Sequence, residues 1–372
     1  MTLGQKLWHF SWFFLLLLCV IAGIGFGMLY SAANGAWDPW ASRQAMRFGV
    51  GLVLLLAIAL TDIRIWLRYA YVLYVLVLAL LVGVEVMGVI GMGAQRWIDL
   101  GFIQLQPSEV MKIVLVLALA RYFHGASLED IGRPGFLVFP LVLVGAPVVL
   151  VLRQPDLGTA IMMTMTAAVI FFLAGVRMWK FALVGAAVLG ALPVAWSLMH
   201  GYQRRRILTF LDPESDPLGA GYHILQSKIA LGSGGVLGKG FMHGSQSHLN
   251  FLPEKQTDFI FTMLAEEFGM AGGLTLLGLY MLVLVFGFAI ALRVRNQFGR
   301  LVALGVTGTF FFYVFINIAM VMGLLPVVGV PLPLISYGGT AMLSILIGFG
   351  FLMSAYVHRD VRISRHGTSE DD

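Results

Sequence analysis

The chain has 372 residues, of which 59% are hydrophobic and 12% are charged, and its mean hydropathy is +0.89. Soluble domains average about 25% charged residues, so this composition excludes a soluble globular protein and indicates an integral membrane protein. The formal net charge of +5 does not indicate nucleic-acid binding, because the basic residues are scattered between apolar runs, as membrane topology requires. The single cysteine, Cys19, excludes a disulfide within the chain.

Apolar runs of roughly 17–25 residues recur along the chain, and they predict ten transmembrane helices. The first run is too long for the hydrophobic part of a signal peptide, so we expect it to be retained as a span. The expected fold is an all-α integral membrane protein, a single polytopic domain over residues 1–372. The predicted spans are Phe10–Tyr30, Met46–Leu60, Trp66–Ile90, Ser108–Phe123, Phe136–Leu152, Leu157–Gly175, Trp179–Met199, Asp258–Leu292, Leu301–Leu325 and Gly339–Val357.

The basic residues predict the orientation of these spans. One set of short connecting segments carries thirteen Lys and Arg residues, whereas the opposite set carries four. By the positive-inside rule both termini are therefore predicted to be cytoplasmic. The one large polar segment, about residues 200–257 between predicted helices 7 and 8, is then an extracytoplasmic loop. A short cytoplasmic tail is expected at about 358–372.

Asp258 lies where the long loop turns into the eighth predicted helix, within NFLPEKQTDFIFTMLAEEFG. An acidic side chain at the rim of a membrane is costly unless water or a partner holds it. Two interpretations are open at this point. The carboxylate either caps the first turn of the helix, or it is a general base for a substrate with a polar head and a lipid tail.

Four more charged residues are predicted to lie inside the membrane. Glu109 and Lys112 are three residues apart at the start of the fourth predicted helix and so share a helix face. They predict either a structural ion pair or a pocket for an anionic head group, with Lys112 as the cation. Glu266 and Glu267 are adjacent, so they point about 100° apart on a helix, and at least one should face a cavity or a helix partner.

The predicted outer loops supply further candidates for substrate binding. Arg96, in GMGAQRWIDLGF, predicts either an interfacial anchor or a contact to a pyrophosphate or sugar. The long loop adds Lys239, in GSGGVLGKG, which is not a P-loop because glycine follows the lysine where Ser or Thr is required. It also adds three arginines that suit a lipid head group or a phosphate: Arg204, Arg205 and Arg206. The loop histidines His223, His243 and His248 do not have metal-ligand spacing.

Two outer segments carry structural predictions. Tyr222–Leu231 has the apolar spacing of a helix and is expected to lie on the membrane surface. Leu324–Thr340, LLPVVGVPLPLISYGGT, is uncharged and contains three prolines. It predicts either a rigid hairpin between spans or, because it lies on the same predicted side as the long loop, the wall of a site.

Four segments together resemble the SEDS family of shape, elongation, division and sporulation proteins. They are GAQRWIDLGFIQLQPSEVMK, RQPDLGTA, IALGSGGVLGKGFMHGSQSHLNFLPEKQTDFIFTMLAEEFG and GLLPVVGVPLPLISYGG. The LAEE and HGSQS motifs resemble the elongation branch of the family rather than the division branch. The resemblance implies ten membrane helices and peptidoglycan glycosyltransferase activity on lipid II in the bacterial cytoplasmic (inner) membrane. It also implies a complex with a class B penicillin-binding protein and other elongation proteins.

The resemblance further implies that Asp258 is the family's essential extracellular aspartate and that Glu109 and Lys112 are its ion pair beside the cavity. We therefore expect an inverting glycosyl transfer with Asp258 as the base. Lys112, the loop cations or a divalent cation, magnesium or manganese, would hold the pyrophosphate, and no organic cofactor is expected. The alternatives are a lipid II flippase, although no inverted repeat is visible in the sequence, and a non-catalytic scaffold of the wall machinery.

Overall fold

The computed structural model describes residues 2–91, 94–99, 101, 104–199, 201–212, 220–245 and 254–364. Its helices, in chain order, are α1 (Leu3–His9), α2 (Trp12–Ala32), α3 (Trp40–Leu60), α4 (Ile63–Met87), α5 (Pro107–His124), α6 (Leu128–Gly132), α7 (Val138–Arg153), α8 (Leu157–Ala174), α9 (Met178–Leu198), α10 (Gly201–Leu211), α11 (Ala220–Ser233), α12 (Ile260–Arg293), α13 (Gln297–Val321) and α14 (Gly339–Val357). A short 3₁₀ turn, Pro134–Leu137, precedes α7. The predicted all-α membrane fold is confirmed.

The ten longest described helices coincide with the ten predicted spans. In the described part of the chain, eight helices are long and apolar enough to cross a membrane, and α9 contains a shorter apolar helix over Met178–Pro193. The remaining one is α5, which carries Glu109, Lys112 and Arg121. Several helices begin earlier than predicted, as α3 does at Trp40, because polar residues in their first turns lower the local hydropathy.

Helix α5, which carries Glu109 and Lys112, lies at the centre of the bundle. Nearly all of its side chains are buried, and it packs against α4, α7, α8, α13 and α14. Two glycines admit this close packing, since Gly305 of α13 faces Val116 and Gly348 of α14 faces Ile113. Protein rather than lipid therefore surrounds Glu109 and Lys112, which is the environment that charged residues in a membrane require.

A three-stranded antiparallel meander connects α4 to α5 and was not predicted. Its strands are β1 (Val89–Gly91), β2 (Ala94–Asp99) and β3 (Gln104–Leu105). In the register, Val89 is opposite Trp97, and Ile98 is opposite Leu105. The central strand carries Arg96, so the meander determines where that side chain lies.

The longest helix, α12, is broken at Gly269, whose φ is 65°. Residues Gly234–Gly240, which we call the glycine loop, lie along the break. Lipid offers no hydrogen-bond partner for backbone groups that the broken helix leaves unpaired. The glycine loop binds two carbonyls and two amides of α12 at the break. These bonds are Lys239 N to Glu266 O at 3.0 Å, Gly240 N to Glu267 O at 2.9 Å, Met270 N to Gly235 O at 2.9 Å and Ala271 N to Val236 O at 3.0 Å.

Part of the segment Leu324–Thr340 lies inside the bundle. The side chains of Leu332, Leu334 and Ile335 are almost completely buried, and the Tyr280 hydroxyl donates a 2.7 Å hydrogen bond to the Pro333 carbonyl. At roughly 1.5 Å per helical residue, Tyr280 stands about 20 Å from the Arg293 end of α12, well inside a hydrocarbon core of about 30 Å. The segment therefore packs within the bundle, and we call residues 331–337 the re-entrant segment.

The predicted helix in the long loop is confirmed as α11. One face, formed by Ile224, Ser227 and Ala230, is buried. The Ser227 hydroxyl donates to the Val321 carbonyl at 2.8 Å and lies 2.9 Å from the Thr262 hydroxyl. These contacts attach α11 to the start of α12 and the end of α13.

The glycine loop generates a test of its structural role. Gly238 has a φ of 80°, and a Cβ there would lie 2.1 Å from the Glu267 carbonyl oxygen. We expect Gly238→Ala to destabilise the protein by roughly 2–4 kcal/mol, through left-handed strain and overpacking, measured by thermal unfolding in detergent. The control is Gly232→Ala, because that helical glycine has nothing within 4 Å of its Cβ position. Equal stability of the two variants would contradict the role of the loop.

Candidate active site

Asp258 lies two residues before α12, with a half-buried side chain. The N-cap residue of α12 is Phe259, which makes no side-chain capping bond, so Asp258 does not occupy the capping position. Its Oδ2 atom lies 3.6 Å from where a Cβ on Gly329 would stand. The carboxylate therefore faces the chain that leads into the re-entrant segment.

Hydrogen bonds from buried groups hold the backbone around Asp258. The three carbonyls of residues 256–258 each accept one. The Asn317 amide donates to the Asp258 carbonyl at 3.0 Å and also to the Val330 carbonyl at 2.7 Å. The other two bonds run from the Ser336 hydroxyl to the Thr257 carbonyl at 2.6 Å and from Tyr337 N to the Gln256 carbonyl at 2.8 Å.

The sequence patterns did not indicate Asn317 or Ser336 as site residues. The available signal was an asparagine within an otherwise apolar helix, because a polar side chain inside a membrane span marks a functional or paired position. Lys255 was also missed. Only 6% of this residue is exposed, and burial lowers the pKa of its ammonium group. It places a second ionisable group three residues before Asp258.

Glu109 and Lys112 form a buried ion pair, with 2.7 Å between Oε1 and Nζ and side-chain exposures of 5% and 1%. The other carboxylate oxygen, Oε2, accepts hydrogen bonds from the hydroxyls of Tyr313 and Ser344, the latter at 3.4 Å. The ammonium also lies 4.2 Å from the centre of the Tyr313 ring. This geometry favours the structural interpretation of the pair.

One face of α13 connects the ion pair to the residues around Asp258. Tyr313 and Asn317 are four residues apart, so their side chains lie on the same side of the helix. Tyr313 contacts Glu109, and Asn317 contacts the Asp258 backbone. A change in the ion pair can therefore shift α13 and, with it, the residues around Asp258.

The other predicted cations are not all gathered at Asp258. Arg96 donates to the Gln154 and Pro155 carbonyls between α7 and α8. Arg204 donates at 2.9 and 2.7 Å to two carbonyls, of Trp196 and Ser197, at the end of α9. Arg205 and Arg206 belong to α10, but their side chains lie outside the described part of the structure.

Three charged residues, Lys239, Glu266 and Glu267, connect α12 to the glycine loop and to α2. Lys239 forms a 2.7 Å ion pair with Glu266 and keeps 28% of its side chain exposed. Glu267 accepts a hydrogen bond from the Ser31 hydroxyl at the end of α2. The two glutamates thus have partners on different elements, as their positions on the helix predicted.

Variants of the ion pair test whether its role is to stabilise the fold. Lys112→Met leaves a buried carboxylate without its cation and should cost roughly 3–5 kcal/mol of stability. Adding Glu109→Gln removes both charges and should restore most of that loss, measured by thermal unfolding. Arg295→Gln is the control, because it breaks an exposed 3.6 Å pair with Asp360 and should cost less than about 1 kcal/mol. If the double variant were as unstable as Lys112→Met, the structural interpretation would be wrong.

Comparisons with known proteins identify the family to which the chain is similar. A family model described as "cell cycle protein", for FtsW, RodA and SpoVE, matches residues 7–361. The peptidoglycan glycosyltransferase MrdB of Escherichia coli strain K12 is 47% identical over 343 residues, covering 89% of this chain and 91% of that protein. The chain is thus similar to MrdB along almost the whole length of both proteins.

Two solved structures have the same fold. One, described as "Structural coordination of polymerization and crosslinking by a peptidoglycan synthase complex", gives a TM-score of 0.82 at 35% identity and covers 94% of this chain and 98% of the other. The other, the rod shape determining protein RodA of Thermus thermophilus, gives a TM-score of 0.71 at 31% identity and covers 94% and 97%. This multi-pass membrane protein therefore belongs to the FtsW, RodA and SpoVE family, the SEDS family that its motifs resemble.

Proposed function

We propose that this protein is a peptidoglycan glycosyltransferase that polymerises lipid II into glycan strands during cell elongation. The observation that carries the proposal is Asp258, a half-buried carboxylate that is not the cap of its helix and whose backbone is held by buried groups. The family assignment supports it, since the relative that is 47% identical is named a peptidoglycan glycosyltransferase. We place this site on the extracytoplasmic side of the bacterial inner membrane, with both termini in the cytoplasm.

The proposed reaction is an inverting glycosyl transfer. The 4-hydroxyl oxygen of the acceptor sugar attacks the anomeric carbon of the donor, and Asp258 accepts the proton of that hydroxyl. As the new carbon–oxygen bond forms, the bond from the anomeric carbon to the pyrophosphate oxygen breaks. Undecaprenyl pyrophosphate leaves with the electron pair, and the configuration at the anomeric carbon inverts.

The leaving pyrophosphate needs positive charge rather than an acid. Lys239 suits this role because part of its ammonium-bearing side chain is exposed. Arg96 and Arg204 each keep N–H groups beyond those that bind carbonyls, and Arg205 and Arg206 stay candidates from the sequence. Lys112 is buried against Glu109, so its contribution would be a long-range electrostatic one.

The described residues do not fit a metal site held by the protein. Among them, no three His, Cys, Asp or Glu side chains are grouped so that they could hold a metal ion. We propose that a magnesium or manganese ion would arrive with the substrate pyrophosphate, and no step above depends on it. The proposed partner is a class B penicillin-binding protein with the other elongation proteins, supported by the solved relative from a complex for polymerization and crosslinking.

The base assignment is tested by Asp258→Asn, which keeps the shape of the side chain but cannot accept the proton. We expect this variant to fold normally and to lose glycan polymerisation by at least about 100-fold, measured with purified protein and lipid II in detergent. Asp38→Asn is the control, since Asp38 is exposed in the connection between α2 and α3. This control should polymerise at the wild-type rate.

The same assay separates the alternatives. A flippase needs two compartments, so polymerisation by the wild-type protein in detergent would exclude flipping as its only activity. A scaffold would show no polymerisation at all in this assay. Near-normal glycan chains from Asp258→Asn would show that Asp258 is not the base.

A further inference from the structure

We propose that Asn317 and Ser336 are positioning residues, which hold the backbone of residues 256–258 so that the Asp258 carboxylate stays in its reactive position. This inference rests on the proposed function, because it assumes that Asp258 is the base. It assigns a role in the reaction to two side chains that do not themselves meet the substrate.

The hydrogen bonds at Asp258 fix a piece of chain that lacks regular secondary structure. Residues 254–259 form turns before α12. The Phe259 carbonyl accepts a helical hydrogen bond from Met263 N at 3.3 Å, but among the described contacts the carbonyls of residues 257 and 258 are not bound in this way. Instead, the Asp258 carbonyl is bound by Asn317 and the Thr257 carbonyl by Ser336. Because the carboxylate is two bonds from the Asp258 Cα, a shift of this backbone moves the carboxylate by a similar distance.

The groups that make these hydrogen bonds are themselves held by three helices. Asn317 belongs to α13, and its residue exposure is 0%. The Ser336 carbonyl accepts a 2.8 Å hydrogen bond from the fully buried Gln44 of α3, and the Ser336 hydroxyl accepts another from Leu332 N at 2.7 Å. Tyr280 of α12 binds the Pro333 carbonyl, so the re-entrant segment cannot easily move away from Asp258.

Asn317 has a feature that a purely stabilising residue would not need. Both of its described donor bonds come from the amide nitrogen, whereas its buried Oδ1 atom has no hydrogen-bond partner among the described residues. An unsatisfied buried acceptor reduces stability. Structural costs of this kind are expected where function requires a particular geometry, and here the geometry is that of Asp258.

The position of a general base matters because proton transfer requires a donor–acceptor distance of about 2.6–3.2 Å. A misplacement of about 1 Å can reduce the rate roughly 100-fold. Loss of a positioning residue should therefore lower kcat and leave substrate binding, reported by KM, nearly unchanged. A structural residue would instead lower the amount of folded protein without this separation of kcat from KM.

The main test compares two asparagines of the same helix. Asn317→Leu removes the amide at similar size, and we expect kcat for lipid II polymerisation to fall roughly 10- to 100-fold while KM changes less than about threefold. The control is Asn296→Leu at the other end of α13. Asn296 is also buried and makes two hydrogen bonds, at 2.7 Å from Gly299 N and at 3.3 Å to the Val361 carbonyl. It should lower the unfolding temperature without changing kcat.

A second pair of variants makes a smaller change and keeps the test decisive if Asn317→Leu does not fold. Ser336→Ala removes only the hydroxyl that binds the Thr257 carbonyl, and we expect the same fall in kcat with nearly constant KM. Its control is Ser354→Ala, which removes a buried hydroxyl bound to the Thr61 carbonyl at 3.0 Å. Each folded variant is compared with its control for kcat, KM and unfolding temperature.

The outcomes distinguish this inference from the proposed function. If Asp258→Asn is inactive but folded Asn317→Leu and Ser336→Ala keep kcat within about twofold of wild type, the positioning role is wrong and the base assignment stands. If Asp258→Asn remains active, the base assignment itself fails. A fall in kcat that is equally large in the Asn296 and Ser354 controls would also overturn the inference, because it would reflect general loss of structure.

Discussion

The constraint on which this structure depends is that backbone polar groups inside the membrane must find partners within the protein. Regular helices satisfy it locally, but the described part of this chain departs from regular helix at buried places such as Gly269 and the re-entrant segment. At Gly269 the α12 ladder is interrupted, and the glycine loop supplies the missing partners. At the re-entrant segment, Tyr280 binds a carbonyl within the bundle and Ser336 binds Leu332 N. Both irregular segments are therefore fixed rather than loose.

The same requirement produces the geometry of the site. Non-helical chain at membrane depth is tolerated where it is enclosed by protein or lines a cavity, and such chain offers carbonyls that side chains can bind. The Asn317 amide donates hydrogen bonds to two such carbonyls, those of Asp258 and Val330. Satisfying the backbone and positioning the carboxylate are consequently achieved by the same hydrogen bonds. Stability and activity should be linked at this end of the bundle, yet separable through kcat.

Features that depend on neighbouring residues could be predicted from the sequence, whereas features that depend on residues far apart in the chain could not. The predicted spans follow from runs of apolar residues, which are local, and each coincides with a long helix; eight of these helices are long and apolar enough to cross a membrane. The partners around Asp258 are not local: Ser336 and Thr257 are 79 residues apart, and Gln44 and Ser336 are 292 apart. No periodicity reports such contacts. The re-entrant path of Leu332–Ile335 was missed for this reason, because a short uncharged segment with prolines looks the same whether it lies outside the bundle or within it.

The predicted site residues differ in burial, and burial limits which of them can contact a substrate. A base for a sugar hydroxyl must be reachable by a polar head group, and Asp258 keeps a half-buried side chain. Glu109 and Lys112 have side-chain exposures of 5% and 1% and neutralise each other, so they cannot meet the substrate as they stand. Sequence spacing gave both sites two open interpretations. Burial of the ion pair favours the structural one, whereas the position of Asp258 outside the cap of α12 favours the base that we propose. The paired charges fix α5 against α13, and α13 in turn carries the amide that holds Asp258. The buried ion pair therefore stabilises the packing around the site, whereas Asp258 is the residue for which we propose a direct role in the reaction.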